Sequence, residues 1–85
     1  MEAPLNTNCY AAIDIGASSG RVVIGWIDEA GHIQLAEVHR FDNIQKRIDG
    51  HDCWDIEMLF DEMVAGLAAA REAGFEPKTL GIDTW

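Results

Sequence analysis

Two carboxylates and a Gly/Ser turn are the features of this sequence that are best suited to chemistry. Asp14 interrupts one apolar run, and Asp83 interrupts a second run close to residue 85. A carboxylate near the end of a buried strand is costly unless a cation meets it. Residues 16–20, which follow Asp14, offer backbone N–H groups and serine hydroxyls that suit phosphate oxygens. The pattern favours a site for a metal-bound phosphate, although Gly and Ser are also ordinary turn residues and a lone Asp often makes a local hydrogen bond.

The apolar runs around these residues predict three strands. Residues 9–15 form a near-continuous apolar run, which is typical of a strand buried on both faces. A second run at residues 22–27 returns after the Gly/Ser turn, so that the two runs form a hairpin. A third strand begins at Ile33 and ends near Phe41, and its alternation slips at residues 36–38, which indicates a β-bulge. Joined by short turns, the three strands make an antiparallel meander.

A polar segment and a helix follow the meander. Residues 42–52 carry little periodicity and predict a surface loop. Asp55 is suited to cap the N-terminus of a helix, and Gly74 is suited to end it. Seven apolar residues are predicted to share one buried face of this helix: Ile56, Leu59, Phe60, Met63, Val64, Leu67 and Ala70.

The last strand of the chain is predicted at residues 79–85. If the helix is a crossover that makes this strand parallel to the first, Asp83 emerges at the same sheet edge as Asp14. Ligands commonly bind at the carboxyl ends of parallel strands. The order of elements is therefore α/β: a three-strand antiparallel meander, then a helix and a parallel strand, as in the first part of a ribonuclease-H-like domain.

Four pieces of the sequence resemble the FGGY carbohydrate kinases, within the actin-like ATPase superfamily. The first is Asp-Ile-Gly-Ala-Ser-Ser-Gly-Arg-Val at residues 14–22, which is similar to the first phosphate loop of that family. The others, in order, are His-Arg-Phe at residues 39–41, Trp-Asp at 54–55 and Gly-Ile-Asp-Thr-Trp at 81–85. The loop is neither a Walker A sequence nor a Gly-x-Gly-x-x-Gly dinucleotide fingerprint. The resemblance independently implies the ribonuclease-H-like, actin-like ATPase fold.

The resemblance implies a phosphoryl transfer that uses ATP and Mg²⁺, and it gives each candidate residue a role. Asp14 would hold Mg²⁺ through water, since Mg²⁺ retains several waters in proteins. Arg21 would donate to a phosphate oxygen, or would remain a strand-edge surface cation. Asp83 would order the waters of the metal, or would cap the backbone that follows. The loop residues implied to bind the β- and γ-phosphates are Ala17, Ser18, Ser19 and Gly20.

The Ala-Ser-Ser-Gly-Arg form of the loop is similar to that of the family members that phosphorylate L-rhamnulose. The implied reaction is the ATP-dependent conversion of L-rhamnulose into L-rhamnulose 1-phosphate in rhamnose catabolism. The alternatives are another FGGY sugar kinase, or a non-catalytic module that binds phosphate or a partner. The family takes its catalytic base from a later part of the domain, so the base is expected beyond Trp85. We therefore expect residues 9–85 to be the truncated N-terminal part of the kinase's N-terminal domain, inactive without the remainder of the kinase chain.

Composition and charge bound the choice of partners and compartment. The net charge is -9, from 15 acidic and 6 basic residues, which argues against nucleic acid and against an anionic membrane. Residues 1–8 have neither the cationic start nor the apolar core of a signal peptide, and we expect a disordered N-terminus. Cys9 opens a strand and is expected to be a small core thiol. The cytoplasm is the default compartment.

Overall fold

The fold is a four-stranded sheet with one helix on one of its faces. The computed structural model describes residues 4–85. In chain order, the elements are β1 (Tyr10–Ile15), β2 (Ser19–Ile27), β3 (Ile33–Asp42), β4 (Lys46–Ile48), β5 (His51–Cys53), α1 (Ile56–Glu72) and β6 (Leu80–Asp83). The sheet has the order β3-β2-β1-β6; its first two pairings are antiparallel, and β6 lies parallel to β1. The predicted meander, helix and parallel strand are confirmed, and they form part of a ribonuclease-H-like domain.

Only one face of β1 is buried. Ala11, Ile13 and Ile15 face α1 and are at most 5% exposed. The alternate residues Tyr10, Ala12 and Asp14 point to solvent. The prediction of a strand buried on both faces is wrong for this chain, because α1 covers one face of the sheet and the described residues place nothing on the other. That uncovered face, which we call the open face, carries Asp14.

The helix begins and ends where the sequence predicts. The carboxylate of Asp55 accepts a hydrogen bond of 3.1 Å from the backbone N–H of Met58, as an N-cap does. Gly74 follows the last turn with a φ of 98°, a conformation that costs glycine little.

The predicted apolar face of α1 is only partly buried. Leu59 and Ala70 are buried against the sheet, and Met63 and Leu67 are partly buried and pack against the core residues beneath them. The burial prediction is wrong for three residues, Ile56, Phe60 and Val64, which are 66%, 60% and 51% exposed. The apolar stripe is wider than the part of the helix that the four strands can reach, so its outer residues stay uncovered.

The β-bulge lies within the predicted segment. The register of β2 against β3 shifts between Val22 and Val23, which pair with His39 and Glu37 and leave Val38 as the extra residue. The ring of His39 then faces α1, where its Nε2 lies 2.7 Å from Oε2 of Glu62. This half-buried contact joins sheet to helix, so His39 has a structural role.

Two segments are more ordered than the sequence suggests. Within the predicted loop at residues 42–52, β4 and β5 form a small hairpin whose turn residues, Asp49 and Gly50, both have positive φ. Residues 1–3 of the predicted disordered N-terminus lie outside the described residues. Next to them, Asn6 donates to Gly74 O and accepts from Glu76 N, both at 2.8 Å, and so ties this segment to the end of α1. No helix within residues 4–85 has the length and apolar run that a membrane crossing needs.

Candidate functional site

The candidate site is built on a row of four charged residues that crosses the open face of the sheet. Asp14 of β1 pairs in register with Arg21 of β2 on one side and with Asp83 of β6 on the other. Arg21 pairs in turn with Arg40 of β3. Residues in register on neighbouring strands point to the same face, so two cations and two carboxylates form a continuous row.

The two carboxylates of this row have different surroundings. Nε of Arg21 lies 3.4 Å from Oδ2 of Asp14, and both side chains are about half exposed, at 48% and 51%. Such an exposed ion pair contributes about 0–1 kcal/mol and exchanges readily with other partners. Arg40 is engaged by Glu37 at 2.6 Å. The side chain of Asp83 makes no hydrogen bond or ion pair to any residue between 4 and 85. The row therefore carries an excess of negative charge at Asp14 and Asp83.

The arrangement of these carboxylates fits Mg²⁺ held largely by water. Adjacent strands lie about 4.8 Å apart, so the two side chains start close together on the same face. Among residues 4–85 there is no cluster of three or more His, Cys, Asp or Glu side chains that would enclose a metal. Mg²⁺ does not need such a cage, because proteins commonly hold it with one or two carboxylates, waters and the phosphates of a substrate.

The Gly/Ser turn lies directly beyond Asp14 and is shorter than predicted. Only residues 16–18 lie between the strands, whereas Ser19, Gly20 and Arg21 belong to β2. The N–H of Gly16 donates to Ser19 O at 2.8 Å. Ala17 and Ser18 are exposed, and their N–H groups donate no hydrogen bond to another described residue. These two residues therefore have the strongest geometric case for contact with an anion.

Gly20 lies in the core, away from that exposed tip. It is buried under the ring of Phe41, and a Cβ added to Gly20 would lie 2.6 Å from Cε2 and 2.9 Å from Cε1 of that ring. Phe41 is 7% exposed and packs with Ile13 and Leu59. Among the predicted phosphate-binding residues, Gly20 thus has a packing reason for lacking a side chain, independent of any ligand.

Asn43 is also part of the candidate site, although no sequence pattern points to it. It is 5% exposed, its Nδ2 donates to Gly16 O at 2.8 Å, and its backbone N–H donates to Ser18 O at 2.9 Å. The sequence places this residue in a polar segment, where an asparagine is an ordinary loop residue. No local pattern signals a contact between residues 27 positions apart.

The residues around the row form a shallow depression on the open face. It has a volume of about 510 Å³ and is lined by Asp14, Arg21 and Asp83 together with apolar side chains such as Val23 and Leu35. At the edge where β1 and β6 end, the ring centroids of Trp54 and Trp85 lie 4.0 Å apart. The charged row thus borders an open, partly apolar surface rather than an enclosed cavity.

Comparison with known proteins gives a consistent set of relatives. No protein-family model matches the chain. Rhamnulokinase from Oceanobacillus iheyensis is 48% identical over 77 residues, which is 91% of this chain, and rhamnulokinase from Halalkalibacterium halodurans is 50% identical over 78 residues, or 92%. Rhamnulokinase from Bacillus subtilis is 46% identical over 76 residues, or 89% of the chain. The chain spans about 16% of the length of these curated relatives. The predicted resemblance to rhamnulokinase is confirmed over nearly the whole chain.

Proposed function

We propose that this chain is the N-terminal part of a cytoplasmic rhamnulokinase, which transfers the γ-phosphate of ATP to the 1-hydroxyl of L-rhamnulose. The identity of the sugar is supported by the similarity to rhamnulokinases of several bacteria. The observation that carries the phosphoryl-transfer part is the in-register pair Asp14 and Asp83, beside the exposed tip at Ala17 and Ser18. Carboxylates that hold a cation and N–H groups that bind phosphate oxygens would supply the charge neutralisation and the alignment that phosphoryl transfer needs.

In this proposal, the residues of the chain position and neutralise the phosphates. Mg²⁺, when bound, supplies the positive charge that offsets the charge of the transferring group. Asp14 would hold it through water, with Asp83 ordering other waters of the same ion. Ala17, Ser18 and Ser19 would donate to phosphate oxygens. Gly20, which has no side chain, would let β2 pass directly under the ring of Phe41. The base that accepts the proton of the sugar hydroxyl is proposed to lie in the rest of the kinase, and this 85-residue chain alone would be inactive.

Arg21 has a further part in this proposal. Its guanidinium pairs with Asp14 only through Nε at 3.4 Å, so its other donors are available. A phosphate oxygen near Ala17 would compete with the carboxylate for this side chain. The guanidinium of Arg21 would then pair with the nucleotide instead of with Asp14, so that the Asp14 carboxylate would be available to the metal.

The experiment is an Asp14→Asn exchange in the full-length kinase that carries this segment. Since the exchange keeps shape but removes charge at a transferring phosphoryl group, we expect kcat to fall at least about a hundredfold with a smaller change in sugar KM. The melting temperature should change little, because the ion pair with Arg21 is exposed. Asp61→Asn, the same exchange at an exposed position of α1, is the matched control and should leave kcat unchanged. Near-normal kcat in Asp14→Asn would contradict the assignment of Asp14 to the metal.

A further inference from the structure

We propose that Asn43 is a positioning residue for the phosphates of the nucleotide, acting through residues 16–18. This inference rests on the proposed function, because it assumes that the exposed tip contacts ATP. Asn43 lies just after β3, under the tip, and holds it by both its side chain and its backbone. It would not itself touch the nucleotide.

The two hydrogen bonds of Asn43 fix the orientation of two peptide groups. In a planar trans peptide, the C=O and the following N–H point in opposite directions. Because Gly16 O accepts from Nδ2 of Asn43, the N–H of Ala17 points away from Asn43. Because Ser18 O accepts from the backbone N–H of Asn43, the N–H of Ser19 is likewise directed away. Without these bonds, either peptide could turn over and present a carbonyl oxygen to a phosphate.

The burial of Asn43 supports a specific role for its amide. Oδ1 of Asn43 is buried and has no hydrogen-bond partner among residues 4–85. A buried acceptor without a donor costs stability, and an apolar side chain at this position would avoid that cost. The presence of asparagine is therefore explained better by the donation from Nδ2 to Gly16 O than by packing of the core.

The test is Asn43→Asp in the full-length kinase, with Gln34→Glu as the matched control. Asn43→Asp keeps the shape but replaces the donor by an oxygen that faces the carbonyl of Gly16. Gln34→Glu makes the same amide-to-carboxylate change. The side-chain amide of Gln34, in β3, also donates to a residue of a turn: its Nε2 lies 2.8 Å from Oδ2 of Asp28. That turn joins β2 to β3 and lies at the opposite end of β2 from residues 16–18. Both variants add one negative charge.

We expect Asn43→Asp to lower kcat/KM for ATP at least about tenfold while KM for the sugar changes less than about twofold, because one misplaced donor at a phosphate weakens ATP contacts alone. The ¹H–¹⁵N chemical shift of the Ala17 amide should differ from that in the unmodified protein, since its peptide is no longer held in one orientation. Gln34→Glu should leave all three quantities unchanged. Asn43→Ala removes the donor without adding charge, so it should change kcat/KM for ATP and the Ala17 amide in the same direction as Asn43→Asp does. It replaces Asn43→Asp in the test if that variant folds poorly.

The outcomes separate this inference from the proposed function. Normal ATP kinetics in folded Asn43→Asp and Asn43→Ala would overturn the positioning role, even if both proteins melt earlier. If those variants are normal while Asp14→Asn abolishes turnover, the inference fails and the kinase assignment stands. If Asn43→Asp alters the amide chemical shift of Ala17 but ATP kinetics stay normal, Asn43 holds the tip without serving the nucleotide, and the inference is again overturned.

Discussion

A Gly20→Ala exchange decides whether Gly20 serves the packing of the sheet or the phosphate. An added Cβ would lie 2.6 Å and 2.9 Å from two carbons of the Phe41 ring, where carbon atoms normally sit about 3.5–4.0 Å apart. The ring would therefore have to move by roughly 1 Å. It has little room to do so, because Phe41 is 7% exposed and belongs to the core cluster around Ile13 and Leu59.

The expected cost follows from two opposing terms. Overpacking of a core typically costs about 1–3 kcal/mol. Replacing glycine within a strand by alanine returns roughly 0.5–1 kcal/mol of conformational entropy. The midpoints of these two ranges give a net destabilisation of about 1 kcal/mol.

The assay is urea unfolding of the full-length kinase and of three variants, Gly20→Ala, Phe41→Leu and the double variant. Leucine lacks the ring carbons that clash, so Gly20→Ala should cost less in the Phe41→Leu background, with a coupling energy of about 1 kcal/mol. Kinetics on the same proteins test the alternative role. An unchanged unfolding free energy with a large loss of kcat would refute the packing argument and assign Gly20 to the phosphate.

Two further predictions concern other parts of the fold. Gly66→Ala should destabilise the protein by about 1 kcal/mol in urea unfolding although alanine is the better helix former, because its Cβ would overlap the buried Val22, whose Cβ lies 3.1 Å away; a gain in stability would contradict this contact. At Asp28, a hydrogen bond from the backbone N–H of His32 lowers the pKa, so its contribution to stability is complete above the ordinary pKa of an aspartate and is lost as pH falls through the lowered value. A carboxyl titration by NMR should place this pKa below that of an unstructured peptide, and Asp28→Asn should make stability less dependent on acid; an ordinary pKa would contradict the prediction.

The sequence predicted the elements whose signals are local. Asp55 and Gly74 mark the ends of α1 because caps depend on side chains within one turn. The hairpin at β4 and β5 has a local signal as well, Asp49-Gly50, but its strands are three residues long and lack alternating apolar residues, so the pattern favours a loop. Burial was predicted less well. Whether Phe60 is covered depends on which elements pack beside α1, and periodicity does not contain that information.

The candidate site divides in the same way. Asp14 and Asp83 were expected at one edge because a parallel pairing brings strand ends together, and the structure adds that they are in register. The placement of Gly20 under Phe41 and the contact of Asn43 with Gly16 depend on the pairing of β2 with β3 and on the path of the chain after it. Both are tertiary contacts between residues distant in sequence, and residue type alone does not predict them.

The charges on the open face also bear on how the site works. Two carboxylates in register on adjacent strands repel each other, and this repulsion would be removed if either were neutral. Neither residue is needed for packing, because both are exposed. Arg21 offsets part of the charge of Asp14, while Arg40 is occupied by Glu37, so the cations of the row do not balance Asp83. A divalent cation near both carboxylates would offset their mutual repulsion. The metal, the Arg21 guanidinium and the N–H groups of the tip would then lie at one edge of the sheet, where a triphosphate would contact all three. In the proposed function, the charge distribution that opposes the pairing of these strands without ligand would therefore favour the joint binding of metal and nucleotide.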